Sequence, residues 1–373
     1  MLQLDLNKIE IKVFTWVVFI TLSLPSIKLI YSSPLLNAAL IGIFAFFMLH
    51  FYTVSPVKLS KVQKVFLTLF LSFISFIFIS YFIFPYSHYS LDKYVKYFFV
   101  FIAVIVTATF VEKVDIRLLV NLLIAWGIVL CIWKLTIGIR LNFDKGQTYL
   151  TYGMPIGCSL MLLLTQVFKK LSWKEVVFYG GLILLNIFVI LTSRGRSSII
   201  FPFLTFGIVI ITALFFGNNK KPAVKVMVFG TILLLIVGSY VLANLESFKS
   251  LARVIALVES GGEDDRLNLW VPAIEQILIN PFGHGTDAYH YLLIHYPHNI
   301  ILEITLSFGI VGLLLLMGML AVFGNRFVKN LDKNFHYVAV SAVGIYFFLS
   351  WNTSHDLATS TIPFVGLSLS LKQ

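Results

Sequence analysis

The chain has 373 residues, of which 59% are hydrophobic and 12% charged, with a mean hydropathy of +0.93 and a net charge of +11. That is more apolar surface than the core of a soluble domain can absorb, so lipid must solvate most of it. The positive charge is explained by Lys and Arg holding cytoplasmic loops in place and requires no nucleic acid.

Hydrocarbon about 30 Å thick takes roughly 20 helical residues to cross. Apolar runs at 13–31, 35–53, 65–84, 97–111, 118–138, 149–168, 175–192, 198–216, 226–243, 299–323, 337–351 and 356–371 therefore predict an all-α polytopic bundle of about twelve transmembrane helices. Alternating strands of about ten residues, as in an outer-membrane barrel, are absent from the sequence. Lys8 and Lys12 precede the first run and no small-x-small cleavage site follows it, so it reads as an uncleaved span. Cys131 and Cys158 fall inside predicted helices and read as packing residues. With the N-terminus inside, most of the Lys and Arg, including Lys58, Lys61, Lys64, Lys169, Lys170, Lys220 and Lys221, fall on the cytoplasmic side. This places both termini in the cytoplasm. The organisation expected is helices 1–9 over residues 1–243, a periplasmic loop over 244–297, and helices 10–12 over 298–373.

The loop resumes helical periodicity after Gly261-Gly262-Glu263-Asp264-Asp265. Leu267, Trp270, Ile274, Ile277 and Leu278 recur at spacings of three and four, predicting an amphipathic helix from Arg266 to Ile279 on or against the bundle. Asn280-Pro281 stops it, and Pro281-Phe282-Gly283-His284-Gly285 gives a tight turn.

Ionisable groups at outer helix ends either snorkel to water or meet a charged ligand. Thr192-Ser193-Arg194-Gly195-Arg196-Ser197-Ser198 sets two guanidinium groups and several hydroxyls beside a helix N-terminus, an anion site in outline or a basic turn among headgroups. Arg266, four residues before Trp270, can clamp a phosphate or pair with Glu263, Asp264 or Asp265. Lys28, Lys93, Lys96, Lys134, Arg140 and Lys145 add positive charge to that side, which favours a lipid-linked pyrophosphate. His298 sits where Asn299 begins an apolar helix, so the dipole favours a neutral imidazole able to accept a proton. Glu303, just over one turn further, needs a partner in the membrane and is either a second acid-base group or a brace.

His284, Asp287, His290, His295 and His298 are suitable zinc ligands, but their spacing matches no compact zinc signature. No metal or cofactor is expected. Neither a Gly-rich nucleotide loop nor a Ser nucleophile elbow is present in the sequence, which disfavours a cytosolic nucleotide-sugar donor. A secondary transporter or lipid-linked oligosaccharide flippase would show repeats, broken helices and ionisable groups near the midplane. Here the ionisable residues gather at one face, and no internal repeat is visible.

Ser193-Arg194-Gly195, Arg266-Leu267-x-Leu269-Trp270, Asn280-Pro281-Phe282-Gly283-x-Gly285 and His298-Asn299-x-x-Leu302-Glu303, followed by Gly309-Ile310-x-Gly312, occur in this order. The set resembles the O-antigen ligase and Wzy-polymerase superfamily over roughly residues 190 to 315. The resemblance implies a metal-independent, inverting membrane glycosyltransferase of GT-C-like, all-helical type in the bacterial inner membrane, with its active site periplasmic. The donor implied is an undecaprenyl-pyrophosphate-linked glycan. By carry-over, Arg194 and Arg266 bind the pyrophosphate, Arg196 is a further phosphate ligand, and His298 orients or deprotonates the acceptor hydroxyl. Asn299, Glu303 and Trp270 are supporting residues. Lys28, Lys93 and Lys134 map to no family position. The Phe-, Lys- and Ile-rich composition resembles proteins encoded in O-antigen clusters and points to a polymerase acting on a second lipid-linked repeat unit. A ligase acting on lipid A-core is the alternative. A chain-length regulator and a flippase are partners implied by the resemblance alone.

Overall fold

The structure is a computed structural model and describes residues 2–30, 34–54, 58–84, 86–87, 91–139, 141, 148–169, 171–193, 195–218, 220, 224, 267–293, 295–353 and 355–373. Among them it is helical with no strand. Helices α1 (Leu2–Leu22), α2 (Leu24–Ile30), α3 (Pro34–Val54), α4 (Lys61–Ile83), α5 (Leu91–Thr109), α6 (Ile116–Thr136), α7 (Tyr149–Thr165), α8 (Trp173–Leu191) and α9 (Arg196–Phe216) come first. They are followed by α10 (Leu267–Ile279), α11 (Tyr289–Leu292), α12 (Ile300–Leu331), α13 (Phe335–Trp351) and α14 (Thr361–Leu369).

Seven helices among the described residues, α3, α4, α6, α7, α8, α9 and α12, are long and apolar enough to cross a membrane. The count is eight if α1 and α2 form one span, bent by 82° at Ser23. The protein is thus multi-pass. The expected span 226–243 lies outside the described residues. The expected span 356–371 is shorter than predicted, because Asp356 caps a 3₁₀ turn at Leu357–Thr359 and only nine residues of α14 follow.

Polar residues set the helix starts. Ser60 and Gln63 form a reciprocal capping box on α4, Thr148 and Thr151 one on α7, and Ser172 and Glu175 one on α8. Each satisfies N–H groups that a helix start leaves without an intrahelical partner.

The described chain divides into two compact units. In the first (1–33, 114–262 and 327–346), α7 is the most buried span and packs against α6, α8 and α9. Cys131 and Cys158 are buried free thiols there. In the second (34–113, 263–326 and 347–373), α5 packs against α3, α4 and α14. Phe70, Phe73, Phe308 and Phe364 make its aromatic core, with Phe73 lying edge-on to Phe308 at 6.1 Å. The candidate site described next belongs entirely to this second unit.

Candidate functional site

The site is built on a broken helix. At Gly309, α12 leaves helical geometry (φ 60°, ψ −157°). The turn after α10 occupies the break: His284 N and Gly285 N donate to the carbonyls of Leu306 and Ser307 at 2.9 and 2.8 Å, and Ile310 N donates to Pro281 O at 2.9 Å. Backbone groups exposed by the break are therefore satisfied by protein. This closeness explains the glycines of the two motifs. A Cβ on Gly309 would run into the backbone of Phe282, and one on Gly283 would meet Ser307 O, while both residues have positive φ.

Above the break, Tyr296, Pro297 and His298 lead into α12. Asn299 caps it, its side-chain oxygen accepting from Leu302 N at 3.1 Å, and Asn352 Oδ1 accepts from Ile301 N at 3.3 Å. His298 has φ +51° and Asp287 φ +66°, the two non-glycine residues with positive φ among those described. Such backbone costs roughly 1–3 kcal/mol and gathers at functional sites, with Asp and His among the residue types that adopt it. The His298 ring is half-buried, stacked parallel on His295 at 5.3 Å and tilted against Tyr296 at 4.1 Å. Trp270 Nε1 donates to Pro297 O at 2.7 Å, so α10 holds the backbone next to His298.

Below lies a charged cluster that sequence reasoning did not assemble. Lys93 Nζ is 2.6 Å from Asp356 Oδ2 and 3.8 Å from Asp287 Oδ1, and it donates to the Tyr289 hydroxyl at 3.0 Å. Tyr289 in turn bonds Asp287, and His290 Nε2 lies 3.4 Å from Asp287 Oδ1, the oxygen nearest Lys93. Glu303 is buried, and its Oε2 accepts from Leu357 N at 2.8 Å. Burial pulls the Lys93 ammonium down, but Asp356, with Asp287 and Glu303, outweighs it and the net shift is upward. Burial likewise pushes Asp356 up, and Lys93 with the Thr359 hydrogen bond outweighs it, leaving the carboxyl below its usual range. Tyr289 is raised by burial and the surrounding carboxylates, so it stays a phenol. His355, stacked on Trp351 at 4.2 Å, is lowered by burial to about 4 and is neutral at physiological pH.

Three carboxyl groups thus surround one ammonium, and Lys93 is already committed to them. It does not add free positive charge for a phosphate, contrary to the expectation from sequence. The cluster presents acceptors, which suit hydroxyl donors.

Of the residues expected at the site, His298, Asn299, Glu303 and Trp270 come together on one frame formed by α10, the start of α12 and the loop 352–357. Arg194 and Arg266 lie outside the described residues, and Arg196 is described only as the first residue of α9. Asp287 and His290, considered as zinc ligands, pair with Lys93 and with each other. Among the described residues no group of three or more His, Cys, Asp or Glu is arranged to hold a metal ion. Tyr289, Asn352 and Asp356 were missed, and Lys93 was assigned to a phosphate rather than to these carboxyl groups. A signal existed for Asp356: an acid following His355 at the start of an apolar run needs a counter-charge.

Residues 181–317 match the family model described as O-antigen ligase. The match covers Ser193 to Gly312 and with it all the motifs that carried the resemblance read from the sequence. No curated protein matches the chain.

Proposed function

From the premise that residues 181–317 carry the O-antigen ligase family segment, we propose that the protein is a membrane glycosyltransferase of surface-polysaccharide assembly. It takes an undecaprenyl-pyrophosphate-linked glycan as donor at the periplasmic face and acts as a polymerase, with a second lipid-linked repeat unit as acceptor. The observation that carries the reading is the His298 frame: an imidazole in left-handed backbone at the mouth of α12, fixed through Asn299, Asn352 and Trp270.

In this mechanism His298 receives the proton of the attacking sugar hydroxyl as the C–O bond forms at the anomeric carbon. The bond to the pyrophosphate oxygen breaks on the opposite face, inverting the configuration. Arg194, Arg196 and Arg266 stabilise the charge that develops on the leaving pyrophosphate, a contribution specific to the transition state. The carboxylates beside Lys93 hold acceptor hydroxyls. The reaction needs no metal or cofactor for this charge balance.

The description of the matched family favours a second reading, in which the acceptor is lipid A-core. A transporter fits less well, because the broken helix α12 has its freed backbone groups occupied by the 281–285 turn rather than open to an ion. The test is the lipopolysaccharide gel profile of a strain lacking the gene. Loss of the ladder with survival of a core-plus-one-repeat band supports the polymerase. Loss of all O-antigen from the core with accumulation of lipid-linked polymer establishes the ligase instead, and an unchanged ladder overturns both.

A further inference from the structure

Helix α10 presents three faces. Ala273 and Ile277 pack toward Tyr289, Leu293 and Leu306, and Trp270 bonds the 297 carbonyl. Asn268 and Glu275 are exposed on a polar edge. Between these lies an exposed stripe of Val271, Ile274 and Leu278 at spacings of three and four, with Ile279 exposed beside it on the Glu275 side and Phe282 exposed in the turn. Leu278 is 75% exposed and Phe282 68%. A helix with one side on protein, one apolar and one polar has the composition of an element lying in a lipid interface.

The depth of this stripe follows from α12. It consists of two helical segments meeting at Gly309, and hydrocarbon about 30 Å thick takes roughly 20 helical residues at 1.5 Å each. The 22 residues after the break, Ile310 to Leu331, span about 33 Å, so a crossing made by this segment sets Gly309 at the hydrocarbon boundary with Ile300–Phe308 beyond it. The turn is clamped to that boundary by its three backbone hydrogen bonds. It is also tied to residues 86–87, which follow α4, since Thr286 N donates to Ser87 Oγ at 2.9 Å and Tyr86 stacks on Tyr291 at 5.1 Å. The last residues of the spanning helix α4, Phe82 and Ile83, are exposed apolar side chains as well. Aromatic side chains at this level match the belt found at membrane boundaries.

We propose that α10 and the turn behind it are seated in the membrane, with Val271, Ile274, Leu278, Ile279 and Phe282 among phospholipid acyl chains. The element is a lipid-bound ledge, not a lid in free solvent. Through the Trp270 hydrogen bond it fixes the depth of the segment leading to His298. This inference rests on helix geometry and exposure and is independent of the reaction assigned above.

The test uses the full-length protein in phosphatidylethanolamine–phosphatidylglycerol vesicles, with an environment-sensitive fluorophore on Leu278→Cys, Phe282→Cys or Glu275→Cys in a Cys131→Ala, Cys158→Ala background. Nitroxides on the acyl chain should quench the labels at 278 and 282 several-fold more than aqueous iodide does, and the order should reverse at 275. Equal iodide access at all three positions overturns the proposal. So does disulfide cross-linking between chains through 278 without acyl-chain quenching, which makes the stripe a protein interface. Should the altered background not fold, the unmodified chain can be irradiated in vesicles carrying an acyl-chain diazirine lipid. Adducts within 271–282 support the ledge, and their absence while α4 is labelled refutes it.

Discussion

Replacing Lys93 with Met removes the single ammonium held among Asp356, Asp287 and Glu303. The Lys93 and Asp356 side chains are 12% and 13% exposed and 2.6 Å apart, so the variant leaves a carboxylate with little water and no cation in place. Breaking a buried pair on one side costs about 3–5 kcal/mol, and partial exposure here favours the lower end, about 3 kcal/mol. Asp356→Asn alone strands the ammonium but leaves Asp287 within 3.8 Å, so it should cost less. The double variant should be more stable than the sum of the singles predicts, with a coupling of roughly 2 kcal/mol. Asp356, lowered from 3.8, contributes stability that is present above that value and lost as pH falls through its folded-state value. Lys93, raised from 10.5, contributes stability present below that value and lost as pH rises past its folded-state value. The coupling should therefore be flat between about pH 5 and 9. Unfolding in graded dodecyl sulfate, followed by tryptophan fluorescence on matched detergent preparations, reads all four proteins. Strict additivity of the two single substitutions would refute the reasoning.

Gly309→Ala should destabilise the protein by more than about 1 kcal/mol, since positive φ and a Cβ directed at the Phe282 backbone act together. Gly312→Ala, at helical φ but with its Cβ directed at Phe308 Cβ, should also destabilise in the same titration, by less than Gly309→Ala because the positive-φ penalty is absent. His298→Asn, whose side chain tolerates left-handed backbone, should keep the wild-type unfolding midpoint while lowering transfer by about 10²-fold or more. His298→Ala should lose both, and full activity in either variant would remove the imidazole from the mechanism. Trp270→Phe, which deletes the donor to Pro297 O together with part of the ring, should cost at least about 1 kcal/mol in the unfolding titration and slow transfer without changing its pH profile.

Seven of the expected spans, and the helix Leu267–Ile279 with its stop, were legible, because apolar length, periodicity and Asn-Pro are local signals. α10 ends at Ile279, as expected from Asn280-Pro281. The break in α12 was not legible, since Gly309 inside an apolar run reads as a tolerated glycine until the partner turn, far back in the chain, is placed beside it. For the same reason Lys93 read as positive charge for a pyrophosphate. Its partners Asp287 and Asp356 are 194 and 263 residues away, and no local pattern records a pairing over such separations. His298, by contrast, stood out because its neighbours Asn299 and Glu303 mark a helix start.

The central claim is that the His298 site transfers glycan from a pyrophosphate-linked lipid. It is tested most directly with purified protein in vesicles, given undecaprenyl-pyrophosphate-linked repeat units and excess EDTA, by measuring released undecaprenyl pyrophosphate together with longer lipid-linked glycan. The account predicts stoichiometric release and elongation by the wild-type protein and loss of both in His298→Asn and Arg266→Ala. Absence of release by folded wild-type protein, or release that survives both substitutions, would contradict it.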